Sequence, residues 1–271
     1  MNTIRLIAKI DIKDSFLVKG INLEGLRKLG DPCKFAEKYY QDGIDEIIFH
    51  DVTATLYGHN GLKNIISNLS KNIFIPITVG GGIRSIQDIE KTFNNGADRV
   101  MLNSAVIKNI DLLNNASKIF GSANLAVNVE YSFIDNEPTI FFEYGRQKAN
   151  INFYDWLKKL EQCGAGEIIF TCINNEGTGE GYDEKILEKA NNMLKIPFTI
   201  HGGISNTNQL KTITKKYNNI SGLALSSLLH YNYIKLIKDK NFDFDFSSKW
   251  ENCKIKKIKK ELNKKIKVRL S

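Results

Sequence analysis

Two carboxylates stand at matching places in this chain. Asp11 closes the apolar run AKIDI (Ala8–Ile12), and Glu130 falls in VNVEY (Val127–Tyr131). Carboxyl groups facing each other across a pocket divide general-acid and general-base work when their surroundings push their pKa values apart. A lone carboxylate at a strand end is ordinarily a cap or turn residue; the mirrored positions raise this pair above that role. Lys19, in LVKGI after the first run, is placed to neutralise an anion or hold a loop closed, with a plain surface lysine as the alternative.

Glycine supplies the second chemistry. IPITVGGGI (Ile75–Ile83) is echoed by IPFTIHGGI (Ile196–Ile204), 121 residues later. Gly81 with Gly82, and Gly202 with Gly203, each lie between a β-rich run and a helical pattern. There glycine lets backbone N–H groups approach an anion, and a helix N-terminus favours negative charge. Each phrase has a partner one run further on: Asn103 and Ser104 in LNSA, Ser226 and Ser227 in LSSL. Turn chemistry explains either glycine pair seen singly. The duplication favours two phosphate cups, and hence a long ligand with a phosphate at each end.

A third set sits at the opposite ends of the runs. Arg5, Glu46, Arg99 and Glu167 fall near the beginnings of the first, second, fourth and sixth. Pointing inward, they form a ring of alternating sign. Buried charge is costly unless paired. The ring is therefore either a salt-bridge plug or a gate through which a small polar molecule enters.

Such residues need elements that place two carboxylates opposite each other and two cups around one mouth. The β-rich runs are 4–12, 46–51, 74–80, 99–103, 124–130, 167–172, 198–201 and 222–226, separated by helical patterns such as DPCKFAEKYYQDG. Asp31–Pro32 is a helix start, a capping side chain followed by proline in the first turn. GIDEIIFHD matches GAGEIIFTC at the same 121-residue offset. Eight β-α units in two equal halves predict an α/β fold, a single (β/α)8 TIM barrel with a two-fold half-barrel repeat. The halves run over approximately 1–120 and 121–271, with an insertion near 241–253. A doubly wound open sheet is disfavoured, since no G-x-G-x-x-G follows the first run.

Composition narrows the partners. The 42% apolar and 25% charged content is that of a globular domain, and no apolar run reaches the about 18 residues a membrane span needs. Cys33, Cys163, Cys172 and Cys253 form no C-x-x-C pair, and His50, His59, His201 and His230 show no ligand spacing. No metal, cofactor or disulfide framework is expected, and a reducing cytoplasm is the simple inference. Much of the net charge of +8 lies in the tail CKIKKIKKELNKKIKVRLS. Ile255, Ile258, Leu262 and Ile266 recur there at helical spacing, which favours an amphipathic helix with a solvated lysine face over a nucleic-acid binder.

Over nearly its whole length the chain resembles the cyclase subunit of imidazole glycerol phosphate synthase. The motifs are DIKDSFLVKGINLEGLRKLGDP, GIDEIIFHDVTAT, IPITVGGGIRS, GADRVMLNSA, GAGEIIFT, EGTGEGYD and HGGI. The resemblance implies a bisphosphate ribulosyl-formimino-carboxamide nucleotide bound at the top of the barrel. Ammonia arrives along the axis from a glutaminase docked at the N-terminal face, and the products are imidazole glycerol phosphate and an aminoimidazole carboxamide ribonucleotide. It implies acid–base roles for Asp11 and Glu130. Substrate contacts are implied for Lys19, Gly81, Gly82, Asn103, Ser104, Thr178, Gly202, Gly203, Ser226 and Ser227. It favours the gate reading for Arg5, Glu46, Arg99 and Glu167, and puts Asp98 near the glutaminase.

The departures from the family pattern gather at the chemical end. Glu130 stands for an aspartate, Lys9 for a small cysteine, Glu176 for an aspartate, His201 for a serine and Arg99 for a lysine. An ammonium at position 9 lowers the basicity of Asp11. Two alternatives follow: a paralogue that passes ammonia to a nucleotide-linked sugar, and a non-catalytic partner that activates a glutaminase. The segment KNFDFDFSSKWENC, with Phe242, Phe244, Phe246 and Trp250, is expected to be a folded surface patch.

Overall fold

Eight parallel strands close into a barrel in the computed structural model, which describes residues 4–54, 62–217, 219–237 and 249–263. The barrel strands are β1 (Arg5–Lys13), β4 (Glu46–Asp51), β5 (Ile77–Gly80), β6 (Arg99–Leu102), β7 (Leu125–Ile134), β10 (Glu167–Cys172), β11 (Phe198–His201) and β12 (Ile220–Leu225). Each pairs with the next, and β12 pairs with β1 to complete the ring. Helices between the strands cover the outside. The expected third strand is shorter than its apolar run: Phe74–Pro76 lies outside β5, and the Phe74 ring is 78% exposed.

The sheet faces outward onto a large apolar core shared with the helices, including Leu6, Ile10, Phe49, Phe170 and Leu223. Period-2 alternation sends the other residues of each strand into the bore. There Ile7, Ile48, Met101, Ala126, Ile169 and Ala224 form a separate apolar layer. Helix Pro32–Gln41 begins as its sequence dictates, with the Asp31 side chain accepting from the Cys33 N–H at 2.8 Å.

Two hairpins rise from the C-terminal ends of opposite strands. β2 (Phe16–Ile21) and β3 (Glu24–Gly30) follow β1; β8 (Glu137–Phe142) and β9 (Gln147–Asn152) follow β7. Four pairs of consecutive left-handed residues make the corners: Asp14–Ser15, Asn22–Leu23, Asp135–Asn136 and Glu143–Tyr144. Paired positive φ values are the mark of tight hairpin turns. For Leu23 and Tyr144 that backbone is strained, and both side chains are buried against Val18 and Val52 over the barrel mouth.

The basic tail forms helix Ile255–Asn263, with Ile255, Ile258 and Leu262 buried and Lys254, Lys256, Lys257 and Lys260 outward. Lys259 reaches inward to Asp45 Oδ1 at 2.6 Å, and Asp45 Oδ2 accepts the Leu6 N–H at 2.8 Å, tying the helix to β1. Trp250 is buried beside Tyr231, ring centroids 5.8 Å apart. Phe242, Phe244, Phe246 and Ile266 lie outside the described residues. No helix among the described residues is long and apolar enough to cross a membrane.

Candidate functional site

The barrel floor carries a closed set of ion pairs. Arg5 bridges Glu46 and Glu167, each at 2.5 Å, and Arg99 meets Glu167 at 2.6 Å and Glu46 at 3.6 Å. Thr78 donates to Glu46 at 2.6 Å, and Ser221 donates to Glu167 at 2.6 Å. Burial disfavours the Glu167 anion, but Arg99 and Arg5 outweigh it and hold the carboxyl below its usual range. Asp98 lies beside the ring at the same end, exposed, with Oδ2 accepting the Ile77 N–H at 2.8 Å. The apolar layer sits directly above.

At the other end β1 and β7 bring Asp11 and Glu130 to one mouth, both buried. Their environments differ. Asp11 forms an ion pair with Lys9, and its Oδ2 lies 3.4 Å from the Tyr144 hydroxyl, which donates. Burial alone would raise its pKa; the Lys9 ammonium, then His50 and Lys19, hold it well below the carboxylate range. Glu130 accepts from Asn128 Nδ2 at 3.2 Å and from the Gly145 N–H at 2.9 Å. Thr171 fixes Asn128 in turn at 2.8 Å. For Glu130 burial prevails, and its pKa is raised despite His50, Gly145 and Lys9. The two carboxyls are thus pushed apart in the sense that separates an acid from a base.

A cleft of about 230 Å³ opens on the β4–β7 side of this mouth. Glu130, His50, Asp51, Asn103, Tyr144 and Met101 line it, with Gly81, Gly82 and Ser104. Gly81 (φ +97°) turns so tightly that a Cβ would fall 2.2 Å from the Asp51 carbonyl oxygen. Only glycine fits there, which leaves the turn backbone open to the cleft. Asn103 Oδ1 is buried without a partner, whereas Ser104 Oγ accepts the Glu143 N–H at 3.0 Å.

The opposite half is more tightly closed. Lys19, from β2, forms an ion pair with Glu176, both side chains 1% exposed. Burial opposes the Glu176 anion, yet Lys19 and His201 bring its pKa down to about 2. His201 Nδ1 lies 3.2 Å from the Ala224 carbonyl, which only accepts, so that nitrogen carries the proton. Its Nε2 faces Glu176 Oε1 at 3.4 Å, and burial lowers the His201 pKa. The Asn22 N–H donates to the Glu176 carbonyl at 2.8 Å, so the β2–β3 hairpin lies across the mouth. Gly202 and Gly203 both have positive φ, and a Gly203 Cβ would fall 1.6 Å from the Gly181 carbonyl oxygen. Thr178 Oγ1 donates to the Asn175 carbonyl at 2.8 Å. Ser226 Oγ, expected in a cup, donates to the Lys9 carbonyl at 2.9 Å, and buried Ser227 begins the helix that follows β12. His230 Nε2 joins Ser226 on the same carbonyl at 3.1 Å.

Four of the five buried side-chain atoms without partners among the described residues are at this mouth: His50 Nδ1, Asn103 Oδ1, Glu176 Oε2 and His201 Nε2. Unpaired buried polar atoms are costly, so their clustering marks where a polar ligand belongs. His50 and Tyr144 were missed in the sequence. His50 was detectable, because it follows Glu46 and Ile48 on the inward face of EIIFHD and stands opposite Asp11. Tyr144 was not, because its position depends on a strained turn. No cluster of metal-ligating type occurs among the described residues.

Comparison with known proteins agrees with this architecture. A family model described as histidine biosynthesis protein matches residues 5–235. The imidazole glycerol phosphate synthase subunit HisF of Legionella pneumophila is 40% identical over 205 residues, covering 75% of this chain and 97% of that protein. Subunits of the same name from Sulfurisphaera tokodaii and Sulfolobus acidocaldarius are 35% and 37% identical over 243 residues, 89% of this chain and 96% of each. The chain therefore belongs to the histidine-biosynthesis family of barrels that includes the HisF subunits of imidazole glycerol phosphate synthase.

Proposed function

We propose that this chain is the cyclase subunit of a glutamine-dependent imidazole glycerol phosphate synthase. It takes ammonia from a glutaminase partner and converts a bisphosphate formimino-carboxamide ribonucleotide to imidazole glycerol phosphate and aminoimidazole carboxamide ribonucleotide. One observation carries the reading beyond the family match: a charged floor, an apolar bore and a polar mouth share one axis. An apolar layer suits passage of neutral ammonia better than of an ion.

Each group has a role in this reading. Glu130 is the proton donor; both its oxygens already accept hydrogen bonds, so a proton on either is left for the cleft. Asp11 is an ionised carboxylate fixed by Lys9. Gly81, Gly82, Asn103 and Ser104 receive one phosphate; Gly202, Gly203, Thr178 and the Ser226–Ser227 turn receive the other once Lys19 leaves Glu176. Arg5, Glu46, Arg99 and Glu167 gate the entry of ammonia. The glutaminase docks at the N-terminal face, beside Asp98. Exposed apolar residues at that face support this, Phe74 at 78% and Ile119 at 60%.

The test supplies the purified chain with an ammonium salt and the formimino nucleotide and follows imidazole glycerol phosphate. Imidazole glycerol phosphate formed at a useful rate supports the reading; stimulation of a glutaminase with no imidazole product would contradict it.

A further inference from the structure

We propose that His50, rather than Asp11, is the proton-transfer partner of Glu130 in the cleft; this deepens the cyclase reading and rests on it. What decides it is which side chains reach the space where a substrate fits. Glu130 and His50 both line the cleft, and Asp11 does not. Asp11 is held by Lys9 through Oδ1 and lies near the Tyr144 hydroxyl through Oδ2. His50 stands beside Asp11 in the β1–β4 register and is more than nine-tenths buried. Its Nδ1 is 3.4 Å from Asp11 Oδ1 and has no hydrogen-bond partner.

The charged and titratable groups packed against the ring or sharing its cleft are Lys9 and Asp11 on β1, Asp51 on its own strand, Arg84 after β5, Lys108 on the helix after β6, Glu130 on β7, and Tyr144 on the β8–β9 turn. Tyr144, its ring centroid 5.8 Å from that of His50, walls the ring toward the mouth. Met101, from the apolar layer, lies at the base of the same cleft, so a molecule leaving the bore emerges between His50 and Glu130. Imidazole is the side-chain type that exchanges protons near neutrality, whereas a carboxylate locked to an ammonium is a poor base.

The proton transfers balance. Ammonia adds through nitrogen to the ketone carbon of the ribulosyl group, and the C=O π pair moves to oxygen. Glu130 gives its proton to that oxygen while His50 removes one from nitrogen, leaving a neutral carbinolamine, a glutamate anion and an imidazolium. In the second half the nitrogen lone pair expels the hydroxyl. The imidazolium protonates it to water, and Glu130 takes a proton from nitrogen. The imine forms and both side chains return to their starting states.

The test follows ammonium-dependent imidazole formation across pH in the full chain, with His50→Ala, His50→Gln and Asp11→Asn. His50→Ala is expected to lower kcat about 100-fold with KM within about threefold. It removes the acid-side fall of kcat/KM and recovers part of kcat when free imidazole is added. His50→Gln, similar in size and so a guard against misfolding, loses kcat likewise. Asp11→Asn lowers kcat but keeps the acid-side fall. His50 variants of near wild-type rate overturn the assignment. So does a loss that imidazole leaves unrestored and that keeps the pH limb, or transfer of that limb's loss to Asp11→Asn. A wild-type chain that forms no product overturns the cyclase reading and this role with it, a result visible before any substitution is made.

Discussion

Lys9 and Asp11, two residues apart on β1, form an ion pair with both side chains 1% exposed. Their side chains project to the same side of the strand, and no other cation among the described residues is as close to Asp11. Removing one partner of a buried pair leaves an uncompensated charge, which costs about 3–5 kcal/mol. Lys9→Met is therefore expected to lose stability of that order in urea unfolding. The double variant Lys9→Met with Asp11→Asn should recover much of it, since neither charge is then buried. Equal stabilities in all three proteins would mean that the pair is not formed.

Acid should unfold the chain through its paired carboxylates. The Glu176 pKa is about 2 in the fold, against about 4.3 in an unfolded chain. A depressed folded pKa gives stability that is complete above the unfolded value and lost as pH falls toward the folded one. Asp11 acts in the same direction, and Glu130, raised by burial, in the opposite one. The urea midpoint should decline as pH drops from about 4 to about 2, and Glu176→Gln should flatten that decline. The same variant frees Lys19 and should speed amide exchange in residues 16–30.

Gly81→Ala should damage substrate binding specifically. An added Cβ meets the Asp51 backbone, whereas at Gly121, equally left-handed at φ +81°, it meets nothing within 4 Å. Left-handed strain costs on the order of 1–3 kcal/mol at either site. Only at Gly81 must the turn also move, raising the substrate KM about tenfold or more. Steady-state kinetics of the two variants separate turn displacement from strain.

Among the described residues, Glu167 is the one carboxylate within 2.6 Å of both floor arginines. Glu167→Gln leaves Arg5 and Arg99 with excess positive charge and should open or distort the ring. Glutamine-dependent turnover of the complex should fall about tenfold relative to ammonium-dependent turnover, a coupling of roughly 1.4 kcal/mol. Parallel assays with the two nitrogen donors give the ratio.

Much of this was legible in the sequence for a physical reason. Strands buried on both faces read as apolar runs, and a duplicated half-barrel repeats them at fixed spacing, so Asp11, Glu130 and the floor charges could be placed by strand ends. The hairpin after β1 reads in the sequence only as a loop, and the one after β7 carries no sequence signal that singles it out. Their corners use Asp, Ser, Asn, Leu, Glu and Tyr at positive φ rather than the Asn-Gly or Asp-Gly pairs that announce such turns. The locked state of Lys19 was hidden too, because its partner Glu176 is 157 residues away and only barrel closure brings them together. The use of the Ser226 hydroxyl by the Lys9 carbonyl has the same origin.

The most direct measurement follows nitrogen. The chain, its glutaminase partner and the formimino nucleotide are incubated with glutamine labelled with heavy nitrogen in the side-chain amide, in a buffer holding excess unlabelled ammonium. Delivery through the barrel predicts imidazole glycerol phosphate carrying the heavy nitrogen in its ring. Product carrying only the buffer's nitrogen, or glutamine consumed with no imidazole formed, would contradict the account.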